Sequence, residues 1–173
     1  RISEITGPNS SGKTTIAAAF AAQASRRGET VGWIDAMGAF DPRSIEAAGA
    51  DLSRILWAGL STDREPRPHA HDQWRNRGRT RYAIVLKAAE LLLEAGGFGL
   101  VVVDFGAMRY PLTQSAALRL ARAAERSGAA VLGIAQYRMC GTFAALTLAA
   151  RPIRACFTRS APGAPALFDG TRI

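Results

Sequence analysis

Short apolar runs alternate along the chain with longer segments of helical periodicity. These runs cover residues 2–5 (in which only Ile2 and Ile5 are apolar), 31–34, 55–58, 98–104 and 129–136, and the helical segments cover 15–23, 83–95 and 113–126. A continuous apolar run of four to eight residues is typical of a strand buried on both faces, and its alternation with helices is typical of a parallel sheet. The pattern predicts a three-layer α/β domain with a mostly parallel, twisted sheet.

Capping residues mark the ends of several of these elements. Arg26, Arg27 and Gly28 have the composition of a helix C-terminus, Asp41 and Pro42 that of a helix start, and Gly128 closes the segment 113–126. Towards the C-terminus, residues 144–150 predict a short helix and residues 151–159 an edge strand. The tail 160–173 carries two prolines and two glycines, which predict a turn with at most one short strand.

Residues 61–82 interrupt the apolar rhythm. This stretch holds two prolines, a glycine and six arginines, so it predicts a basic surface loop or disordered insert. Trp74 and Tyr82 flank its densest arginine cluster, Arg75, Arg77, Arg79 and Arg81. Aromatic and arginine side chains together can stack on bases and neutralise phosphates, which makes these four arginines candidates for nucleic-acid contact. The alternative is a solvated linker that merely tolerates charge.

The strongest chemical motif follows the first apolar run. Its residues are Gly7, Pro8, Asn9, Ser10, Ser11, Gly12, Lys13 and Thr14, called the glycine loop below. Two glycines five apart, followed by Lys and Thr and placed between a strand and a helix, match the phosphate-loop pattern. Backbone N–H groups of such a loop surround phosphate, the lysine reaches the β- and γ-phosphates, and the threonine hydroxyl binds Mg²⁺. The sequence therefore predicts a site for a nucleoside triphosphate and Mg²⁺ rather than an ordinary Gly/Ser turn.

A single acid ends the apolar run 98–104. A carboxylate at the end of a buried strand can hold Mg²⁺ through water, and this strand follows the glycine loop in the order expected of a nucleotide-binding domain. We therefore predict Asp104 and Thr14 as the metal ligands. His69 and His71 lack companion ligands at metal spacing, so no metal site is expected there.

Overall composition adds little to this interpretation. A chain of 173 residues is most simply a single domain (1–173), and because it begins with Arg1 it could be a fragment. No apolar run approaches the roughly 18 residues of a membrane span. The formal charge of +8 favours anionic partners, although the dominance of Arg over Lys is equally explained by a GC-rich genome. Two lone cysteines, Cys140 and Cys156, suit a reducing cytoplasm.

Several ordered blocks together resemble one family. The glycine loop, the strand ending in Asp35, the turn DAMGAFDP (35–42) and the block AGADLSRILWA (48–58) are similar to the ATPase core of RecA-type recombinases. Within that superfamily the chain looks most like the ImuA-type accessory proteins of bacterial SOS mutagenesis. The resemblance runs from Arg1 to about Arg159, interrupted at 61–81. It implies that Thr15 and Asp41 join the ATP-binding set and that Gln136 senses the γ-phosphate, unless Gln136 is a plain strand-end residue.

The chain departs from this family at the centre of the chemistry. The resemblance places a glutamate general base two residues after Asp35, and the chain has Met37 there. A thioether cannot accept the proton of an attacking water, and loss of a general base typically costs about 10²–10⁴-fold in rate. Asp35 or Asp41 could substitute as the base. The adenine-stacking aromatic of the family is replaced by Ser44, and both DNA-binding loops are shortened, to 106–112 and 137–143.

Three functions remain open at this point. The first is an ATP-binding accessory to translesion synthesis in the SOS response, with slow or absent hydrolysis. Its partners would be proteins of a mutagenic polymerase assembly or RecA, with single-stranded DNA and a homo-oligomer as further possibilities and no membrane. The second is an active DNA-dependent ATPase of recombinase type. The third is a small-molecule or nucleoside kinase, which also uses a phosphate loop but lacks the block that follows Asp35.

Overall fold

Six parallel strands form the centre of the molecule. The computed structural model describes residues 1–60, 73–106, 108, 110–152, 154–158 and 167–172, with the backbone alone for 73–80, 154–158 and 167–172. The strands of the main sheet are β1 (Ile2–Thr6), β2 (Thr30–Asp35), β3 (Ile55–Gly59), β4 (Phe98–Gly106), β5 (Ala130–Ala135) and β6 (Ala144–Ala149). They lie in the order β3-β2-β4-β5-β1-β6, and every neighbouring pair is parallel. The predicted α/β class with its parallel sheet is confirmed.

Helices cover both faces of this sheet. They are α1 (Lys13–Arg26), α2 (Pro42–Ala47), α3 (Gln73–Ala95) and α4 (Gln114–Ser127). One apolar cluster joins α3 and α4 to the sheet and contains the buried Phe105; the other joins α1 and α2 to the opposite face and contains the buried Trp33. Burial on both faces explains why the central strands have continuous apolar sequences.

Two predictions about local structure are wrong. The basic stretch is helical from Gln73 onwards, so residues 73–82 are the first part of α3 rather than a loop. Arginine is a good helix former, and the buried face that continues through Val85 and Leu86 extends the helix into the polar segment. The rest of that stretch, 61–72, lies outside the described residues. Residues 144–149 form strand β6 rather than a helix, because pairing with β1 outweighs the helix propensity of Ala and Leu.

The C-terminal part of the described chain forms a small second sheet. Strands β7 (Arg154–Thr158) and β8 (Leu167–Arg172) pair antiparallel in it. The strand predicted within 151–159 is therefore confirmed, and the described part of the tail, residues 167–172, is one short strand. None of the helices in the described ranges is long and apolar enough to cross a bilayer.

Parallel pairing brings the ends of four strands to one edge. The glycine loop follows β1, Asp35 ends β2, Asp104 lies near the end of β4, and Gln136 follows β5. Asp35 and Asp104 are register partners on adjacent strands. Ligands of open α/β sheets bind outside the carboxyl ends of the strands, so this edge is where a site is sought.

Candidate functional site

The glycine loop turns sharply between β1 and α1. Ser10 and Gly12 adopt left-handed backbone conformations, with φ of 60° and 82°. Gly12 caps α1, and its carbonyl accepts a hydrogen bond from Ile16 N at 2.9 Å. The loop therefore leads directly into the N-terminus of a 14-residue helix, where free N–H groups and the helix dipole favour an anion.

Close packing explains the first glycine of the loop. A Cβ at Gly7 would collide with the carbonyl oxygen of Ala150 and would lie 2.6 Å from Ser11 Oγ. Ser11 is fully buried, and within the described part of the chain its hydroxyl has no hydrogen-bond partner. A buried hydroxyl without a partner is costly, so a bound group that accepts its proton would relieve this cost.

Lys13 is bent back onto the loop. Its side chain is 9% exposed, and Nζ donates to the carbonyl oxygen of Pro8 at 2.9 Å. Burial lowers the pKa of Lys13, while the nearby Asp104 acts in the opposite direction. A phosphate oxygen can take the place of the Pro8 carbonyl as acceptor, and its negative charge would favour the charged form of the lysine. The residues present fit a phosphate group.

Asp104 is a largely buried carboxylate beside this lysine. It accepts a hydrogen bond from Gly106 N at 2.8 Å. Burial raises the pKa of Asp104, and the nearby Asp35 carboxylate raises it further. The hydrogen bond from Gly106 N and the charge of Lys13 act in the opposite direction but do not cancel the rise. A bound divalent cation would offset the cost of keeping this buried carboxylate ionised. Mg²⁺ is commonly held by one or two carboxylates together with phosphate oxygens and water, so Asp104 and the exposed hydroxyl of Thr14 fit such an ion. Three-residue clusters of His, Cys, Asp or Glu are absent from the described residues.

Gln136 contacts the glycine loop directly. Its Nε2 donates to Asn9 Oδ1 at 2.7 Å, across 127 residues of sequence. Pro8, Asn9, Gln136 and Tyr137 line an open cleft of about 360 Å³. The predicted γ-phosphate sensor therefore lies beside the predicted phosphate-binding loop, which is the position that such a role requires.

The carboxylate of Asp35 is hydrogen-bonded to the backbone of the turn that follows it. The fully buried carboxylate accepts hydrogen bonds from three backbone N–H groups, those of Met37 at 3.1 Å, Ala39 at 3.0 Å and Phe40 at 2.8 Å. Burial acts to raise the pKa of Asp35, but these donors and the Trp57 side chain outweigh it and hold the pKa below its ordinary value. A carboxylate with a lowered pKa and filled acceptor sites is a poor proton acceptor.

The carboxylate of Asp41 also accepts hydrogen bonds from its own segment, because Asp41 is the N-cap of α2. It accepts from Arg43 N at 3.2 Å, Ser44 N at 3.3 Å and the Ser44 hydroxyl. The Ser44 hydroxyl, with the backbone donors, lowers the pKa of this exposed carboxyl. Ser44, where the resemblance places an adenine-stacking aromatic, thus binds Asp41 three residues before it. Thr15 is exposed in the first turn of α1.

Met37 lies at the carboxyl edge between β2 and β4. Its Cγ occupies the space that a Cβ on Gly106 would fill, two residues beyond Asp104. On its other side, Arg81 Nη1 lies 3.6 Å from Met37 Sδ. Arg81, a member of the predicted nucleic-acid set, is partly buried and lies beside the candidate site through this contact with Met37. Arg75, Arg77 and Arg79 lie in the first turns of α3.

One buried charge at this edge was absent from the sequence prediction. Glu4 on β1 is 1% exposed, and its carboxylate holds the segment that follows Gln136. An acid inside the predicted strand 2–5 was the available signal. Its significance depended on partners more than 130 residues away.

Comparisons with known proteins agree with this geometry. Residues 1–65, from β1 through β3, match the RecA N-terminal domain family. The chain is 35% identical over 111 residues, 64% of its length, to Protein RecA of Lactobacillus delbrueckii subsp. bulgaricus, and 35% identical over 111 residues to Protein RecA of Clostridium beijerinckii. These stretches cover 28% and 26% of the two relatives, so the chain spans only about a quarter of the curated proteins it matches.

A solved structure supports the fold. The chain superimposes on the crystal structure of SulA from Pseudomonas aeruginosa with a TM-score of 0.50 and 20% sequence identity, over 77% of this chain and 95% of SulA. At that identity the similarity concerns architecture alone. Together, the strand order and the superposition show a RecA-like α/β core, and the N-terminal part of the chain is similar in sequence to the RecA N-terminal domain.

Proposed function

We propose that this chain is an ATP-binding, RecA-like accessory protein of DNA-damage-induced translesion synthesis, with slow or absent hydrolysis. One observation carries the proposal. The groups suited to binding a nucleotide are all retained around the glycine loop, whereas the position of the general base holds Met37.

The binding half of the proposal depends on how the phosphate-facing groups are arranged. Lys13, the Ser11 hydroxyl and the N-terminus of α1 would hold the phosphates, with Gln136 at the γ-phosphate end. Asp104 and Thr14 would hold Mg²⁺, which when bound neutralises the charge on the phosphate oxygens. The other residues of the glycine loop would supply backbone N–H groups and shape, and Thr15 and Asp41 complete the proposed set.

The slow-hydrolysis half depends on the absence of a suitable base among the acids described at this edge. Asp35 has three backbone N–H donors on its carboxylate, and Asp41 caps α2. Asp104 faces Lys13 in the position proposed for the metal. Positioning by the loop survives without a base, so binding is retained while the rate falls by about 10²–10⁴-fold.

The accessory role depends on the short connections at the same edge. Only residues 107–113 lie between β4 and α4, and only 136–143 between β5 and β6. Such connections leave little room for two DNA-binding loops, so we place the output in contacts with proteins of a mutagenic polymerase assembly or RecA, in the cytoplasm. Bound ATP would then act as a structural ligand, adding about 2.7 kcal/mol of stability at a hundredfold excess over Kd.

A turnover assay separates this function from an active recombinase-type ATPase. We expect Mg·ATP binding by calorimetry, loss of that binding in Lys13→Ala, and little phosphate release with or without single-stranded DNA. Strand exchange with homologous DNA should fail. Rapid DNA-stimulated hydrolysis, or efficient exchange by this protein alone, would favour the recombinase, and the accessory function would be rejected.

A further inference from the structure

The buried carboxylate of Glu4 connects three elements at the candidate site. Its Oε2 accepts from Met139 N at 2.9 Å and from Cys140 N at 3.0 Å. Its Oε1 accepts from the Thr147 hydroxyl at 3.0 Å and lies 3.5 Å from Arg138 Nε. Both oxygens therefore have hydrogen-bond partners, as a polar group at 1% exposure requires.

Glu4 lies close to the glycine loop. It is three residues before Gly7 on β1, the strand that leads into the loop. The same strand pairs with β5 on one side and with β6 on the other. A carboxylate here can fix the segment between β5 and β6 relative to the glycine loop, because both are held by one strand.

The held segment begins at the predicted γ-phosphate sensor. Only Tyr137 and Arg138 separate Gln136 from the two N–H groups that Glu4 accepts, and Arg138 itself pairs with Glu4. On the far side, the carbonyl of Met139 accepts from Leu112 N at 2.8 Å, so the segment is also fixed to the β4–α4 connection. Gln136 thus lies between two fixed points: Ala135, the last residue of β5, whose carbonyl accepts from Gly7 N, and the segment that Glu4 anchors at Met139 and Cys140.

We propose that Glu4 is a positioning residue for Gln136: it anchors Met139 and Cys140 so that the Gln136 amide meets Asn9 across the glycine loop. A side chain placed in this way favours the nucleotide that reaches it, namely a triphosphate over a diphosphate. The expected difference between triphosphate and diphosphate affinity rests on the proposed nucleotide binding. The position of the Gln136 side chain, by contrast, can be measured in the protein without any ligand.

The test compares Glu4→Gln with a matched surface change, Glu125→Gln, at an exposed carboxylate of α4. Glutamine keeps the shape of Glu4 but replaces one acceptor oxygen with a donor, and hydrogen bonds to a charged group are stronger than those to a neutral one. We expect amide exchange at Met139 and Cys140 to accelerate about tenfold or more. The Gln136 side-chain amide signals should move in the NMR spectrum of the free protein, and Glu125→Gln should leave them unchanged.

The second measurement is the ratio of ATP to ADP affinity, by calorimetry with Mg²⁺. We expect Glu4→Gln to lower this ratio by about fivefold to tenfold, through ATP alone. Faster exchange with an unchanged ratio would mean that Glu4 supports the fold without positioning Gln136, and the inference would be rejected. If the parent binds neither nucleotide, the proposed function fails, and the Gln136 signals alone decide: moved signals support Glu4, unmoved ones overturn it.

A milder variant covers the case in which Glu4→Gln does not fold. Thr147→Val removes the hydroxyl donor to Oε1 and leaves the carboxylate and its two backbone donors in place. It should move the Gln136 signals in the same direction by a smaller amount. Unmoved signals in a folded Thr147→Val protein, together with an unchanged ATP to ADP ratio, would count against the inference.

Discussion

Arg81 Nη1 lies 3.6 Å from Met37 Sδ, so a guanidinium lies against the position where the resemblance places a general base. A carboxylate introduced at residue 37 would meet this guanidinium. Such a pair lowers the pKa of the acid and takes up its oxygens, and both effects weaken a base. Arg81 would therefore favour a carboxylate at position 37 as an ion-pair partner but weaken it as a general base.

Restoring the base should therefore require two changes. We expect Met37→Glu alone to raise single-turnover phosphate release only slightly, and Met37→Glu with Arg81→Gln to raise it by about tenfold or more over the single variant. Met37→Gln, which has the shape of the acid without its basicity, is the control. Equal rates for Met37→Glu and Met37→Gln in both backgrounds would show that residue 37 cannot act as the base here.

Asp104 should limit the stability of the nucleotide-free protein. Burial raises its pKa, so deprotonation costs folding free energy as pH rises through the folded-state value. At neutral pH, Asp104→Asn should raise Tm by about 2–4 °C, equivalent to about 1 kcal/mol, and abolish the Mg²⁺ dependence of ATP binding. Thermal melts with and without Mg·ATP test both effects. A lower Tm without ligand would contradict the sign.

The same raised pKa predicts how binding responds to acid. Protonation removes the charge that attracts Mg²⁺, so Mg·ATP affinity should fall as the solution is acidified. Because the pKa of Asp104 is raised, this loss should begin at a higher pH than it would for an aspartate of ordinary pKa. Calorimetric titrations at several pH values measure this directly. The Asp104→Asn variant should lack this component, and an identical pH profile in that variant would assign the dependence to another group.

Asp35 should behave in the opposite sense, as a stabilising charge. Its pKa is lowered, so its contribution is present above the unfolded-state value and is lost as pH falls through the folded-state value. Asp35→Asn keeps one acceptor oxygen for three backbone donors and should destabilise the protein by about 2–3 kcal/mol at neutral pH. Urea unfolding at pH 7 and at acid pH measures the loss. Asp41→Asn, which preserves an N-cap, should cost far less.

Nucleic-acid binding, if it occurs, should depend on one side of α3 more than on the other. A helical period of 3.6 residues places positions 75 and 79 on one side and positions 77 and 81 on another. The Arg81 side faces Met37, so we expect Arg75→Ala with Arg79→Ala to weaken single-stranded DNA binding more than Arg77→Ala with Arg81→Ala. Binding should also weaken steeply with salt. Fluorescence anisotropy at matched salt distinguishes the pairs; undiminished binding after all four changes would indicate a solvated segment.

Local chemistry in the sequence was enough for the fold class and for the centre of the candidate site. The glycine loop, the apolar runs and the caps at Gly28, Asp41 and Gly128 are read from residues within one turn or one strand of each other. Parallel pairing then forces the strand ends to one edge, so the neighbourhood of Lys13 and Asp104 follows from element order.

Long-range contacts decided the surroundings of Glu4 and Met37 at that edge. Glu4 acquires its partners from residues 138–147 and Met37 acquires Arg81, whereas the carboxylate of Asp35 accepts from N–H groups within its own turn. Residues 144–149 became a strand because β1 had an open edge to pair. Propensity and spacing report what a segment can do alone, but burial and hydrogen-bond partners, which set pKa and strand pairing, exist only after distant segments meet.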